Sequence, residues 1–328
     1  MDKKIKIGIV GYGNVGKGVE LAIEKNSDMK LEAIFTRRDS KTLKTKGLTD
    51  NVFNISEAVK FKNNIDVLIL CGGSATDLPK QGPYFAGMFN IVDSFDTHAK
   101  IPEYFSIIDK EASIIGKVSL IATGWDPGLF SMLRLIEESV LPDGKGYTFW
   151  GKGVSQGHSD AVRRLKGVSD ARQYTIPIDS ALKRVRAGEN PEFCTKDKHL
   201  RDCYVVAEEG ADLERIKKDI VSMPNYFADY VTNITFITKE EMNKNHSKMP
   251  HGGLVLRSGN TGVSNKQIIE FSLTLDSNPE FTGSVLAAYA RAVYRLYKEG
   301  QKGAKTVFDI APKYLSQKTY SELLKDML

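Results

Sequence analysis

Apolar residues alternate at Ile5, Ile7 and Ile9 and then give way to Gly11-Tyr12-Gly13-Asn14-Val15-Gly16. Beyond the glycines the apolar spacing lengthens, to Val15, Val19 and Ile23. An alternating period that turns helical across glycines predicts a strand, a tight turn and a helix between Lys4 and Glu24. In that context Gly11 permits the turn, Gly13 lets backbone amides approach a pyrophosphate, and Gly16 lets the helix pack on the strand. The helix N-terminus adds partial positive charge for a phosphate. The form then repeats. Apolar runs at Leu31 to Phe35, Asp66 to Leu70, Phe89 to Val92 and Val118 to Ala122 read as strands buried on both faces of a parallel sheet. They end in Thr36-Arg37-Arg38, Cys71-Gly72-Gly73-Ser74, Asp93-Ser94-Phe95-Asp96 and Thr123-Gly124-Trp125-Asp126. Ligands of open α/β sheets bind outside such carboxyl ends, so these segments point chemistry at one edge.

The end of the second strand bears on which dinucleotide binds. Sites for NAD usually place an Asp or Glu there to accept from the ribose 2′-hydroxyl. Here stand Thr36, Arg37 and Arg38. A carboxylate repels a 2′-phosphate, whereas two guanidiniums beside a hydroxyl chelate one, which favours NADP. The plainer alternative is a solvated basic loop, since Asp39, Lys41 and Lys44 follow.

Past residue 145 the texture changes. Strands are expected at 147–150, 172–176, 203–207, 230–237, 254–257 and 268–275. The last alternates cleanly, with Ile269, Phe271, Leu273 and Leu275 opposite Glu270, Ser272 and Thr274. Asp212 reads as the cap of a helix carrying Leu213, Ile216 and Ile220. A final helix over Ser284 to Glu299 is expected to return to the nucleotide-binding part. The expected architecture is α/β: a Rossmann-type dinucleotide-binding domain of residues 1–125 plus about 280–328, and a second α+β domain of 126–279 on a mostly antiparallel sheet.

Length and charge narrow the class. At 328 residues there is room for two cores, and the net charge of +5 comes from dispersed side chains. No arginine-rich arm or aromatic-basic alternation suggests nucleic acid, and no stretch approaches membrane-spanning length. The mild basic excess suits anionic small molecules. Cys71, Cys194 and Cys203 match neither a disulfide framework nor a zinc site. They read as reduced thiols of a cytoplasmic protein, with no metal expected.

Asp96 and Asp126 stand just past two strand ends, where paired carboxylates suit a substrate bearing ammonium groups. The structural alternatives are an Asx turn at Asp96-Thr97-His98, and a helix cap at Asp126 with Pro127 in the first turn. Residues 150–161 alternate glycines with Trp150, Gln156, His158 and Asp160, a poor core and a good ligand-lining loop. A catalytic triad around His158 has no nucleophile elbow to support it. Met249-Pro250-His251-Gly252-Gly253 reads as a second such loop. Arg201, placed just before a strand, either clamps a carboxylate or pairs with Asp202.

Taken together, these segments resemble the meso-diaminopimelate dehydrogenase family. The resemblance rests on Val10-Gly11-Tyr12-Gly13-Asn14, Phe35-Thr36-Arg37-Arg38, Gly73-Ser74-Ala75-Thr76-Asp77, Thr123-Gly124-Trp125-Asp126-Pro127-Gly128 and Phe149-Trp150-Gly151. It continues through Ser155-Gln156-Gly157-His158-Ser159-Asp160-Ala161, Met249-Pro250-His251-Gly252-Gly253 and Asn278-Pro279. It implies an NADP-dependent oxidoreductase that deaminates the D-centre of meso-2,6-diaminopimelate, with the reverse reductive amination serving lysine and cell-wall synthesis. It also implies a homodimer, with the second domain serving substrate binding and dimerisation. The implied cofactor contacts are Gly11, Tyr12, Gly13, Asn14, Val15, Thr36, Arg37, Arg38, Cys71, Gly72, Gly73, Ser74, Ser94, Phe95, Asp96, Thr123, Gly124, Trp125, Asp126 and Pro127. Asp96 and Asp126 are implied as catalytic residues that also reach substrate. Trp150, Gln156, Thr175, Arg201, His251 and Asn278 complete the implied substrate pocket. The rival readings are another NADP-dependent amino-acid dehydrogenase, such as one for homoserine or aspartate, and a non-catalytic NADP-binding sensor.

Overall fold

The computed structural model describes residues 4–328, which divide into two compact units. The first runs to Met132 and resumes over Pro279–Leu328; the second is Leu133–Asn278.

Six strands of the first unit come early: β1 (Ile5–Val10), β2 (Met29–Thr36), β3 (Val52–Asn54), β4 (Val67–Leu70), β5 (Ile91–Asp93) and β6 (Val118–Leu120). A late strand, Gly303–Lys305, pairs with β6. Among the described residues the order is β3-β2-β1-β4-β5-β6 and then the late strand, and every pairing is parallel. This is the Rossmann-type sheet expected from the apolar runs. Alternate side chains leave each strand on opposite faces, which explains two separate cores. Ile7, Ile9, Ile34, Ile69 and Val92 pack with helices Asn14–Glu24 and Asn278–Lys298. Ala33, Phe35, Leu68, Leu70 and Ile91 pack with helices Leu78–Ala86 and Ile101–Ile114.

Helix Asn278–Lys298 begins six residues ahead of the expected Ser284, because Asn278-Pro279 already lies in its first turn. Its backbone meets that of helix Asn14–Glu24 at a pair of glycines. A Cβ on Gly18 would lie 2.5 Å from the Pro279 carbonyl oxygen, and one on Gly283 would collide with the Gly18 backbone. Further along, buried Arg291 grips Asp28 with two nitrogens, at 2.6 and 2.8 Å, and donates to Asn26 Oδ1 and the Leu315 carbonyl.

The second unit holds β7 (Gly144–Trp150), β8 (Gly153–Val154), β9 (Val168–Pro177), β10 (His199–Ala207), β11 (Val231–Phe236), β12 (His251–Thr261) and β13 (Asn265–Leu275). They form two sheets where one was expected: β11-β10-β9-β8 and β13-β12-β7. The pairings are antiparallel except β10 with β11, which helix Leu213–Val221 connects as a parallel crossover. Asp212 caps that helix, accepting from Arg215 N–H at 3.0 Å. Ile216 and Ile220 pack beneath it with Val205 and Phe227, while Tyr147, Phe149 and Leu256 make a separate core with Leu182 and Val185.

Two histidines of this unit are neutral, His199 buried and His158 half-buried. His199 accepts the Trp150 N–H at Nε2 (2.8 Å), and burial, with Lys198 and Arg201 nearby, pushes its pKa down to about 3. His158 lies between Ser155 Oγ, 2.7 Å from Nδ1, and the rings of Tyr226 and Phe227, and burial pushes it down to about 4.

Two outcomes follow from these contacts. Gly283→Ala should lower the unfolding free energy in urea by about 1–3 kcal/mol, since neither helix backbone can yield to the new methyl. Between pH 6.5 and about 4 the unfolded chain binds protons that both rings refuse, so stability falls as the pH falls. His199→Gln keeps an acceptor for Trp150 and removes one of these titrations. Urea unfolding across that window should show a slope shallower by up to about 1.4 kcal/mol per pH unit.

Candidate active site

Gly11 turns the chain after β1 with φ of 87°, and a Cβ on Gly16 would strike the Gly11 carbonyl. Gly13 stands at the N-cap of helix Asn14–Glu24, where it has no side chain to cap the amides. A Cβ there would meet nothing within 4 Å. Open space above the positive end of a helix, beside Tyr12, Asn14 and Val15, fits a pyrophosphate.

Thr36 closes β2, and its Oγ1 accepts the Arg38 N–H at 3.1 Å. The Arg38 guanidinium donates to the Tyr12 carbonyl, while exposed Arg37 lies 2.9 Å from Asp77. The Tyr12 hydroxyl in turn donates to buried Glu20, which also accepts N–H groups from Lys46 and Leu48 at 3.1 Å each. The segment after Arg38 is thereby tied to the glycine turn. Two adjacent cations with no acid among residues 36–38 fit a 2′-phosphate.

Cys71, Gly72, Gly73 and Ser74 follow β4. Asp77 Oδ2 accepts the Gly73 N–H at 3.0 Å, so one carboxylate holds both this turn and Arg37. Ser74 Oγ accepts the Asp96 N–H at 2.8 Å, joining the turn to the segment Ser94, Phe95 and Asp96. Asp96 is exposed, and its backbone carbonyl accepts the His98 N–H at 2.9 Å, where an Asx turn would use the side chain.

Thr123, Gly124, Trp125, Asp126 and Pro127 follow β6. The next helix, Leu129–Val140, starts too late for Asp126 to cap it, so the capping alternative fails. The chain reverses instead within a tight turn. Gly124 N–H donates to the Pro127 carbonyl (2.9 Å) and Leu129 N–H to the Gly124 carbonyl (2.9 Å). Gly128 adopts φ of 125°, and a Cβ there would collide with Gly124.

Sequence reasoning passed over the residue that joins these last two segments. Asp93, fully buried at the end of β5, accepts from Phe95 N–H (3.0 Å), Ala122 N–H (3.1 Å) and the Tyr104 hydroxyl (2.7 Å). Burial raises its pKa to about 6 against the pull of these donors. A carboxylate closing an apolar strand was the available signal.

In the second unit Arg201 and Thr175 are register partners across β10 and β9. Arg201 therefore stands inside a strand, not ahead of one, and Asp202 accepts from Asn233 at 2.8 Å instead of pairing with it. The Arg201 guanidinium donates to Thr175 Oγ1 and lies over the Tyr230 ring, 3.9 Å from its centroid. It is buried, its Nε has no hydrogen-bond partner, and no carboxylate among the described residues forms an ion pair with it. Gly153, opposite Thr175 on β8, leaves room for the His251 ring, which a Cβ there would press at 2.5 Å.

Both expected loops prove partly regular. His251 opens β12, and Gln156 opens a helix, Gln156–Arg163, capped by Ser155, because Val162 buries against the core and buried Ser159 bonds to the Ser155 carbonyl and the Gln173 N–H. His158 belongs to that cap, and Asp160 pairs with Arg163, which disposes of the triad. Gln156 Nε2 donates to Met249 Sδ (3.3 Å), and Asn278 N–H donates to the Met249 carbonyl (3.0 Å). Trp150 stacks on His199 with centroids 5.4 Å apart. Val154 N–H donates to the Pro250 carbonyl (2.9 Å), so Gln156, Thr175, Arg201, His251 and Asn278 share one connected region.

Residues 124–277 match the family model described as the diaminopimelic acid dehydrogenase C-terminal domain. The chain is 61% identical over 325 residues to a meso-diaminopimelate D-dehydrogenase of Ureibacillus thermosphaericus, covering 99% of each. Among solved structures it is similar to a six-substitution mutant of a Clostridium tetani meso-diaminopimelate dehydrogenase with DAP, at 57% identity and a TM-score of 0.94, covering 99% of this chain and 100% of that one. It is also similar to an engineered D-amino acid dehydrogenase bound to NADP+, at 42% identity and a TM-score of 0.88, with the same coverage. With near-complete coverage at such identity, the chain belongs to the meso-diaminopimelate D-dehydrogenase family.

Proposed function

We propose that this chain catalyses the NADP+-dependent oxidative deamination of the D-centre of meso-2,6-diaminopimelate, and the reverse reductive amination. The product is L-2-amino-6-oxopimelate, which cyclises to L-tetrahydrodipicolinate, an intermediate of lysine and peptidoglycan synthesis. The observation that carries the reading is Arg201: a buried guanidinium with no acid partner among the described residues calls for an anionic ligand. The six substitutions in the Clostridium tetani mutant fall on Gln, Thr, Arg, Pro, His and Asn. Their order and spacing are those of Gln156, Thr175, Arg201, Pro250, His251 and Asn278 here, which supports these residues as substrate contacts.

The substrate has two ammonium and two carboxylate groups, so it needs partners of both signs. Arg201, Thr175 and His251 hold the carboxylate of the L-centre, with Trp150, Gln156 and Asn278 completing that pocket. Asp96 and Asp126 hold the ammonium group to be lost, and its proton passes to a carboxylate or to water. NADP+, when bound, accepts the hydride from the D-centre carbon. The resulting iminium takes up water and releases ammonium to leave the ketone. Gly11, Gly13 and the amides beside Tyr12, Asn14 and Val15 hold the pyrophosphate, and Thr36, Arg37 and Arg38 the 2′-phosphate. Fixing one centre by its distant twin supplies the selectivity, since a simple D-amino acid lacks the second handle.

The second unit is read as serving dimerisation too. Exposed Leu135, Ile136 and Val140 on helix Leu129–Val140 supply apolar surface for a homodimer. The free thiols of Cys71, Cys194 and Cys203 suit a reducing cytoplasm.

Absorbance of reduced nicotinamide, followed with each diaminopimelate isomer and each coenzyme, tests the whole reading; it predicts turnover of the meso compound with NADP+. No turnover of any diamino acid would leave only a cofactor-binding protein. Arg201→Met should cut kcat/KM for meso-diaminopimelate by about 100-fold or more while affecting simple D-amino acids far less. An unchanged ratio between the two substrates would remove Arg201 from the pocket. Arg38→Ala should raise KM for NADP+ by about 10-fold or more and leave KM for NAD+ nearly unchanged.

A further inference from the structure

Asp93 makes four hydrogen bonds that unite two chain segments. Its carboxylate accepts from Phe95 N–H on the segment carrying Asp96 and from Ala122 N–H just past the end of β6. Its backbone carbonyl accepts from Thr123 N–H at 2.9 Å, on the segment carrying Asp126. The second carboxylate oxygen takes the Tyr104 hydroxyl, whose ring stacks on Phe95 at a centroid distance of 4.1 Å and an angle of 16°. Tyr104 reaches this place because residue 82 is glycine; a Cβ there would occupy the space of its hydroxyl. No cation among the described residues pairs with Asp93. An apolar residue at the end of β5 would avoid the cost of burying this carboxylate.

We propose that Asp93 is a positioning residue for the reaction: its buried carboxylate holds the Asp96 and Asp126 segments in fixed relation to each other. It acts only through those segments, and the proposal rests on reading Asp96 and Asp126 as the residues that handle the D-centre. The requirement is for an acceptor of the right shape, because every group facing the carboxylate is a neutral donor.

Two variants separate positioning from bulk stability. Asp93→Ala leaves two N–H groups and a hydroxyl without their acceptor, and should lower kcat for meso-diaminopimelate by about 100-fold while NADPH affinity, read by fluorescence, stays within about threefold. The primary deuterium isotope effect on kcat, with substrate labelled at the D-centre, should rise as hydride transfer becomes more fully rate-limiting. Asp93→Asn presents one oxygen to the two N–H groups and an amide to the Tyr104 oxygen, and should recover kcat to within about fivefold of the parent. Three results would overturn the proposal: an unchanged kcat in Asp93→Ala, a loss of cofactor affinity matching the loss of kcat, or an Asn variant no better than the Ala variant. If Asp93→Ala does not fold, Tyr104→Phe removes a single donor; it should lower kcat several-fold at constant NADPH affinity, and an unaltered kcat would count against the proposal. Asp96→Asn and Asp126→Asn run alongside. Full activity in both would remove the underlying reading of the site, whereas their inactivation beside a fully active Asp93→Ala would remove only the role of Asp93.

Discussion

Parallel strands joined by helices bring all their carboxyl ends to one edge of the sheet, and the backbone groups released there must find new partners. The first unit meets this constraint with short polar side chains bonded to backbone amides. Asp77 holds the turn after β4, Ser74 receives the Asp96 N–H, and Asp93 receives N–H groups from both sides. Each hydrogen bond to a charged acceptor contributes about 1.5–3 kcal/mol, while burying the acceptor costs several. The net stability gained is therefore small. What the arrangement supplies is definition: loops rich in glycine and serine, free to wander by composition, are tied to one another.

The second unit solves the opposite problem, that of positive charge. Burial presses on His158, His199 and Arg201 alike, yet only the histidines respond by losing a proton. Neutralising an imidazole at pH 7 costs almost nothing, whereas neutralising a guanidinium costs about 7 kcal/mol or more. So His199 becomes a neutral acceptor for Trp150, and His158 a neutral member of a helix cap. Arg201 keeps its charge, with a threonine hydroxyl and a tyrosine ring as neighbours. Within the second unit, burial thus leaves one guanidinium charged and two imidazoles neutral.

Some of this was legible along the chain because it is local. The change of period across Gly11 to Gly16 names a strand, a turn and a helix within one stretch, and the Arg37-Arg38 pair follows directly on a strand. The second unit was harder to read. Alternation marked the strands but did not reveal that they form two sheets, or that β10 and β11 run parallel, since pairing direction is absent from a single strand's pattern. The 150–161 segment looked like a loop because its glycines and polar residues are dense. Ser159 and Val162 become the inward face of a helix only against β9 and Phe227, the first by accepting the Gln173 N–H and the second by apolar packing. Arg201 was undecided between pairing with Asp202 and clamping an acid, and the register with Thr175 decided against Asp202.

The sequence by itself determined the order of elements, the dinucleotide turn, the basic strand end and the family motifs, because these depend on neighbours within a few residues. Tertiary structure alone decided the surroundings of Asp93, Glu20 and Arg201. A carboxylate or guanidinium acquires its meaning from what burial removes and which donors replace water, and those partners lie on strands and helices distant in the chain.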